Sequence, residues 1–175
     1  MPDEDEERFR EFVAAQWGPL TRTAYLLTGD QGAAEDLVQS ALEKTHRRWG
    51  SILRKDAPGV YVRRVMVNTA VSWRRRRRTV EVPLLETDAV AAPDAYHQAE
   101  SRHQLLGALR RLPPRMRAVL VLRYFEDLSE ADIARILGCS TGTVKSQASR
   151  GLARLRADLT PPPTFLDTNL QGDPA

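Results

Sequence analysis

The apolar residues of this sequence recur at steps of three and four in one segment after another, the mark of amphipathic helices. Phe9, Phe12, Val13, Trp17, Leu20, Ala24 and Leu27 form the first stripe. Gly18-Pro19 falls inside it and is expected to kink that helix or split it in two. Gly29-Asp30 punctuates next, with Asp30 placed to cap a second stripe of Ala34, Leu37, Val38, Ala41, Leu42, Thr45 and Trp49. Residues 50–57 show no period and read as a loop. Pro58 suits a first helical position, and Tyr61, Val62, Val65, Met66, Thr69 and Trp73 make a third stripe. Three helices with one apolar face each must bury those faces together, which predicts a bundle over residues 8–78.

Residues 79–100 carry two prolines, acids and small residues without a sustained period, and read as a flexible acidic linker. Four more helices follow. Ser101 can cap one bearing Leu105, Leu106, Leu109 and Leu112, which Pro113-Pro114 ends. The next carries Met116, Val119, Leu120 and Tyr124. Ser129-Glu130-Ala131-Asp132 resembles a capping box, with Asp in place of Glu or Gln, and opens a short helix ending at Gly138. Ser140 or Thr141 then caps a last helix to about Leu159. Residues 1–7 read as an acidic extension and 160–175 as a disordered, proline-rich tail. The expected fold is all-α: two small helical bundles, 8–78 and 101–159, joined by a flexible linker, the second containing a helix-turn-helix.

The 175 residues carry a net charge of only +3, but its distribution is informative. Seven arginines and no acid lie between Arg63 and Arg78; five acids and no Lys or Arg lie between Thr79 and Ser101; four basic residues and no acid lie between Cys139 and Arg156. Two basic blocks separated by an acidic stretch suggest two attachments to one polyanion. A basic run on a helix is often a mere solvated face, yet five adjacent arginines repel one another and need a reason.

The sharpest local pattern is residues 128–155. A short helix, a turn with glycine and a second helix make the helix-turn-helix layout, with Ala134 small at the crossing, Gly138 at the turn and Val144 facing inward. Ile133, Leu137, Val144 and Leu152 supply the shared core. That leaves Thr141, Thr143, Lys145, Ser146, Ser149 and Arg150 at the start and outer face of the second helix, where such motifs meet base edges in the major groove. Lys and Arg reach guanine acceptors or phosphates, while Ser and Thr contact either bases or backbone. A plain packing hairpin is the competing reading; the basic, acid-free second helix argues against it.

These residues carry a family resemblance. Ser129-Glu130-Ala131-Asp132-Ile133-Ala134 with Leu137-Gly138-Cys139-Ser140-Thr141-Gly142-Thr143-Val144-Lys145-Ser146 resembles the promoter-recognition domain of extracytoplasmic-function sigma factors, small members of the sigma-70 family. Ala34-Glu35-Asp36-Leu37-Val38-Gln39-Ser40-Ala41 is similar to that family's polymerase-binding stretch. Residues 61–70, followed by Trp73 and the arginine run, resemble its −10-element reader. The wording is nearest the SigE-type subgroup common in actinobacteria, and the three motifs stand in the family's order over about Phe9 to Leu159.

The resemblance implies a factor that binds core RNA polymerase, through its beta-prime clamp and beta flap, and brings it to promoter DNA. It carries polymerase contact onto Asp36, Leu37 and Gln39, although Leu37 also fits a core position. It places −10 binding on Arg63, Arg64, Asn68, Arg74, Arg75, Arg76 and Arg77, with Asn68 matching a residue that lines a pocket for a flipped base. An Asn amide both donates and accepts, so it can read a base edge that the duplex hides. A capping or buried polar role is the plainer reading of Asn68, and Trp73 fits the core better than a stacking platform. The −35 duplex would be read by Thr141, Thr143, Lys145, Ser146, Gln147, Ser149 and Arg150. Gln147 departs from the basic residue common there; one phosphate contact is exchanged for a side chain able to read adenine. The linker would pass near the RNA exit path, and an anti-sigma factor is a further implied partner, with the chain monomeric when free or paired one to one.

Other chemistry finds no support in the sequence. His46, His97 and His103 are scattered without ligand-spaced partners, and a single cysteine, Cys139, excludes a disulfide framework and multi-cysteine metal sites. Cys139 fits a small apolar position beside the turn. No phosphate loop or nucleophile–base arrangement appears, so no enzyme activity, metal or cofactor is expected. No apolar run approaches the ~20 residues of a membrane span, and the acidic start is no signal peptide, so a cytoplasmic chain is expected. A dimeric helix-turn-helix regulator is the alternative. It would explain residues 128–155 and leave residues 34–41 and the arginine run without a task.

Overall fold

The computed structural model describes residues 2–53, 58–77 and 93–159, with side chains described over 4–52, 58–73 and 98–159. Its helices are α1 (Pro2–Thr28), α2 (Gln31–His46), α3 (Trp49–Leu53), α4 (Pro58–Arg77), α5 (Pro93–Arg111), α6 (Pro114–Tyr124), α7 (Glu130–Leu137) and α8 (Thr141–Leu159). No strand occurs among the described residues, so the all-α expectation holds.

Several local expectations are met atom for atom. Asp30 caps α2, its Oδ1 accepting from the Ala33 N–H at 2.7 Å. Ser129 caps α7, accepting from the Asp132 N–H at 3.1 Å. The capping box stays one-sided, because the Asp132 side chain stops at the Ser129 hydroxyl, 2.6 Å away, one methylene short of a Glu. Of the two candidates for α8, Ser140 is the cap, its hydroxyl accepting from the Thr143 N–H at 3.1 Å.

Three expectations are corrected and one is narrowed. Of the kink or split expected at Gly18-Pro19, the split does not occur: α1 runs from Pro2 to Thr28 with Pro19 inside. The buried Leu20, Thr23 and Ala24 just beyond Pro19 anchor that stretch, and packing of this kind outweighs one missing backbone bond. Residues 2–7 belong to α1 rather than to an extension. Glu6 lies 2.9 Å from His46 Nε2, and the Phe9 ring sits 4.6 Å from His46 and 5.0 Å from Trp49, which ties these turns to the end of α2. The loop expected at 50–57 begins as the helical turn α3, with residues 54–57 outside the described part. Helix α5 starts at Pro93 rather than at Ser101, a proline being well suited to a first helical turn. Residues 78–92, including Arg78, and the tail 160–175 lie outside the described part.

The first four helices pack as one bundle and the last four as another, and the two bundles pack on each other. Helices α1 and α4 meet α6, α1 also meets α5, and α4 also meets α7. One apolar cluster runs through both, from Leu20, Leu37 and Met66 to Leu120, Ile133 and Val144. Helix α6 is buried on every side from Met116 to Leu122, as a helix sandwiched between two layers must be. Inside it, Arg117 is 1 % exposed. Its guanidinium donates to the carbonyls of Leu109 (2.6 Å), Leu112 (3.3 Å) and Arg110 at the end of α5, and to Leu27 (2.7 Å) near the end of α1. A buried cation is placed where two helices offer C-terminal carbonyls with no intrahelical donor.

Candidate nucleic-acid interface

The helix-turn-helix is built as the residues require. Gly138 closes α7 in the left-handed conformation, φ 62° and ψ 46°, and the Cys139 N–H returns to the Ala134 carbonyl at 3.1 Å. A side chain at Gly138 would meet nothing within 4 Å, so it is the backbone conformation that asks for glycine there. Cys139 is half-buried against the core, in keeping with the small apolar role expected of it. Val144 and Ala148 are buried, and Gly151 lets α8 close on α6: a Cβ there would come within 2.9 Å of both Met116 and Leu120. The shared core therefore holds α8 by one face and leaves the other outward.

That outward face carries the residues expected to touch duplex DNA. Thr141, Thr143, Lys145, Ser149 and Arg150 are exposed, while Ser146 and Gln147 are half-buried. Two of the cations are held in place. Lys145 Nζ lies 3.6 Å from Glu130, whose other carboxylate oxygen takes Arg123. That hydrogen bond with Glu130 raises the Arg123 pKa above its ordinary value. Arg150 folds back on the Ser146 hydroxyl, four residues earlier. Glu130 projects from α7, so α8 keeps its acid-free face.

A second feature lies on the first bundle. Lys44 and Arg48, from the end of α2 and the turn after it, face Tyr61, Arg64, Asn68, Thr69, Ser72 and Trp73 of α4 across an open groove of about 550 Å³. Lys44 Nζ donates to the Thr69 hydroxyl at 3.2 Å, which fixes one wall. Basic groups, two aromatic rings and an amide around one concavity are what single-strand binding uses: cations for phosphates, flat rings and hydrogen-bonding groups for bases. The sequence reading found Arg64 and Asn68 here and missed Lys44, Arg48, Tyr61 and Ser72. Lys44, Arg47 and Arg48 do form a short basic cluster, but it gains meaning only once α2 crosses α4.

The remaining expected residues divide clearly. Asp36 and Gln39 are exposed on α2, whereas Leu37 is fully buried and can act only by packing. Asn68 is neither a cap nor buried; it is exposed on α4, and its Nδ2 donates to the Ile136 carbonyl of α7 at 3.1 Å. Arg63, five residues earlier on α4, pairs with Glu126. Trp73 is half-buried against the core, as expected of it, and also lines the groove. Arg74–Arg77 extend the same helix as its last turn, their side chains outside the described part. Among the described residues no group of three His, Cys, Asp or Glu is placed to hold a metal ion.

A helix-turn-helix with a basic outer helix, packed on a bundle with a basic and aromatic groove, defines a two-module nucleic-acid-binding protein. Comparison with known proteins places it further. Residues 16–80 match sigma-70 region 2 and residues 102–155 match sigma-70 region 4. The chain is 42 % identical over 151 residues to the RNA polymerase sigma-E factor of Streptomyces coelicolor, covering 86 % of this chain and 85 % of that one. It is 33 % identical to the ECF RNA polymerase sigma factor SigM of Mycobacterium tuberculosis, covering 86 % and 76 %. Its fold is similar to that of the sigma factor RpoE of Bartonella quintana, crystallised with the anti-sigma factor NepR, with a TM-score of 0.68, 25 % identity and coverage of 87 % and 97 %. The chain belongs to the sigma-70 family as an extracytoplasmic-function RNA polymerase sigma factor, which directs promoter-specific transcription initiation. Sigma factors of this kind are non-catalytic initiation factors that act with core RNA polymerase on promoter DNA. The dimeric-regulator alternative is not favoured, since region 2 accounts for the residues that alternative left without a task.

Proposed function

We propose a residue-level division of this work. Helix α8 reads the −35 element as duplex through Thr141, Thr143, Lys145, Ser146, Gln147, Ser149 and Arg150. The α2–α4 groove, with Arg63, Arg64, Asn68 and the Arg74–Arg77 turn, takes the unpaired −10 strand. Asp36 and Gln39 face the polymerase clamp, and Leu37 supports them from within the core. Residues 8–78 thus form the −10 and polymerase module, and the second bundle, ending at 159, forms the −35 module. The segment between them spans the distance to the second promoter element.

The groove carries this reading. A helix-turn-helix alone serves many duplex readers, whereas a concavity combining Lys44, Arg48, Arg64, Asn68, Tyr61 and Trp73 suits a base taken out of the stack. The chain itself performs no chemistry in this scheme, because phosphodiester formation belongs to the polymerase. No described helix is long and apolar enough to cross a membrane, and the site of action proposed is the cytoplasm, where the polymerase is. An anti-sigma partner is proposed too, supported by the likeness to a sigma factor crystallised with one.

The test is in-vitro transcription of fragmented genomic DNA by core polymerase with and without the protein, sequencing RNA 5′ ends. Starts that depend on the protein and share two upstream motifs are the expected result. Asn68→Ala should then weaken the downstream motif's preference, and Lys145→Ala the upstream one. No protein-dependent starts from active polymerase and folded protein would refute the proposal.

A further inference from the structure

The groove between α2 and α4 has two walls of unequal strength. One is α4, a helix of 20 residues. The other is the corner where α2 ends and α3 begins, which brings in Lys44 and Arg48. Helix α3 has only five residues, too few to hold in water without tertiary packing. Lys44, Arg47 and Arg48 also crowd three cations into five positions at this corner, and like charges so close push one another apart.

What holds the corner comes from α1. Trp49 and Ile52 of α3 are buried. The Trp49 ring lies 5.0 Å from Phe9, edge to face, and 5.2 Å from Phe12. Phe9 also lies 4.6 Å from the His46 ring, and His46 Nε2 is 2.9 Å from Glu6. Beside them Asp5 covers Gly50, its Oδ2 3.7 Å from where a Cβ would stand. Among the described residues the buried indole N–H has no acceptor, so Trp49 serves by its apolar faces rather than by a hydrogen bond. Held in this way, α3 fixes the main chain of Arg48 on both sides. The Arg48 N–H donates to the Thr45 carbonyl at 3.0 Å. Its carbonyl accepts from the N–H groups of Ser51 and Ile52, each at 3.0 Å, and from the Ser51 hydroxyl at 2.8 Å.

We propose that the first turns of α1, through Phe9 and Phe12, are a positioning element for capture of the −10 strand. Their packing on Trp49 keeps α3 folded, folded α3 holds the backbone of Arg48, and Arg48 so held presents its guanidinium to a strand phosphate in the groove. Phe9, Phe12 and Trp49 do not line the groove themselves and act only through Arg48. A cation ordered before the strand arrives loses less entropy on binding, which is how a contact on the far side of the corner reaches the nucleic acid. This inference deepens the assignment of the α2–α4 groove to the −10 strand and rests on it.

The experiment uses holoenzyme assembled from core polymerase and the full chain, on the strongest protein-dependent start found by the transcription test above. Transcript yield is followed against KCl concentration, assembly with core polymerase by native gel, and helicity by circular dichroism. Arg48→Ala is expected to lower the yield about tenfold and to flatten the log–log salt dependence by about 0.7 units, the share of one phosphate contact on a single strand. Phe9→Ala and Trp49→Leu are expected to change yield and slope in the same way while still assembling with polymerase. Trp49→Phe keeps a ring and removes an N–H that bonds nothing, and should recover most of the yield lost in Trp49→Leu. Phe9→Ala combined with Arg48→Ala should be no worse than either alone, because both remove one contact. Wild-type yield and slope in Phe9→Ala and Trp49→Leu, with Arg48→Ala impaired, would overturn the positioning role and leave the groove reading intact. Losses at wild-type slope that multiply with that of Arg48→Ala would overturn it too, by assigning the rings to general stability. Failure of Phe9→Ala and Trp49→Leu to assemble would overturn it in favour of a role in folding or polymerase docking. An Arg48→Ala variant without effect would remove Arg48 from the strand contacts, and the positioning role with it.

Discussion

Arg117→Met tests whether a buried cation can serve as a shared cap for two helices. Methionine keeps the unbranched length of the arginine stem and removes every donor. Four carbonyls then lose a partner, at Leu109, Arg110, Leu112 and Leu27. Hydrogen bonds to a charged group are each worth about 1.5–3 kcal/mol. The variant also escapes the desolvation of a guanidinium, so the sum overstates the loss. Carbonyls left unsatisfied in the interior cost about 1–3 kcal/mol each, and with the escaped desolvation set against them a net loss of about 3–5 kcal/mol is the expected range. With a urea m-value of about 2 kcal/mol/M, the unfolding midpoint should fall by roughly 2 M with m unchanged. Arg117→Lys keeps a charge but cannot fork across the ends of α5 and α1 at once, and should lie between the two. The assay is urea titration followed by far-UV circular dichroism. A loss below about 1 kcal/mol for Arg117→Met at constant m would refute the reasoning, because the four bonds would then only balance the burial of the charge.

Three other perturbations read different parts of the structure. Lys145→Ala should weaken −35 duplex binding and flatten the log–log salt dependence by about one unit, whereas Glu130→Gln, which releases Lys145 from an exposed pair, should change affinity by less than about 1 kcal/mol; an unchanged slope in an anisotropy salt titration would remove Lys145 from the phosphate contacts. Gly151→Ala should destabilise more than Gly138→Ala, because the first forces a methyl against Met116 and Leu120 at about 1–3 kcal/mol and the second meets only a left-handed backbone at about 1 kcal/mol; thermal melts giving the opposite order would contradict the packing described for α6 and α8. The Glu6 carboxyl is held below the ordinary glutamate range, chiefly by the hydrogen bond to His46, so its contribution to stability is present above the unfolded value and fades as pH falls through the lowered one. A pH series of melting temperatures for Glu6→Gln should therefore part from wild type near neutrality and rejoin it in acid; a gap that widened in acid would reverse the sign assigned to this pair.

The local elements were legible because their signals are local. Asp30, Ser129, Ser140 and Gly138 occupy cap positions that their own side chains or lack of one define, and each is found in that role. The outer face of α8 follows from the same logic, since burying Val144 and Ala148 leaves Lys145 and Ser149 outward. What escaped was everything that depends on which helix lies beside which. Lys44 and Arg48 join Asn68 and Trp73 only where α2 crosses α4. Residues 2–7 looked like a solvated acidic start until Phe9 and Glu6 met His46 and Trp49. The docking of the bundles had one visible trace, the unbroken apolar run Ala118-Val119-Leu120-Val121-Leu122, which is too wide for a helix with a single buried stripe.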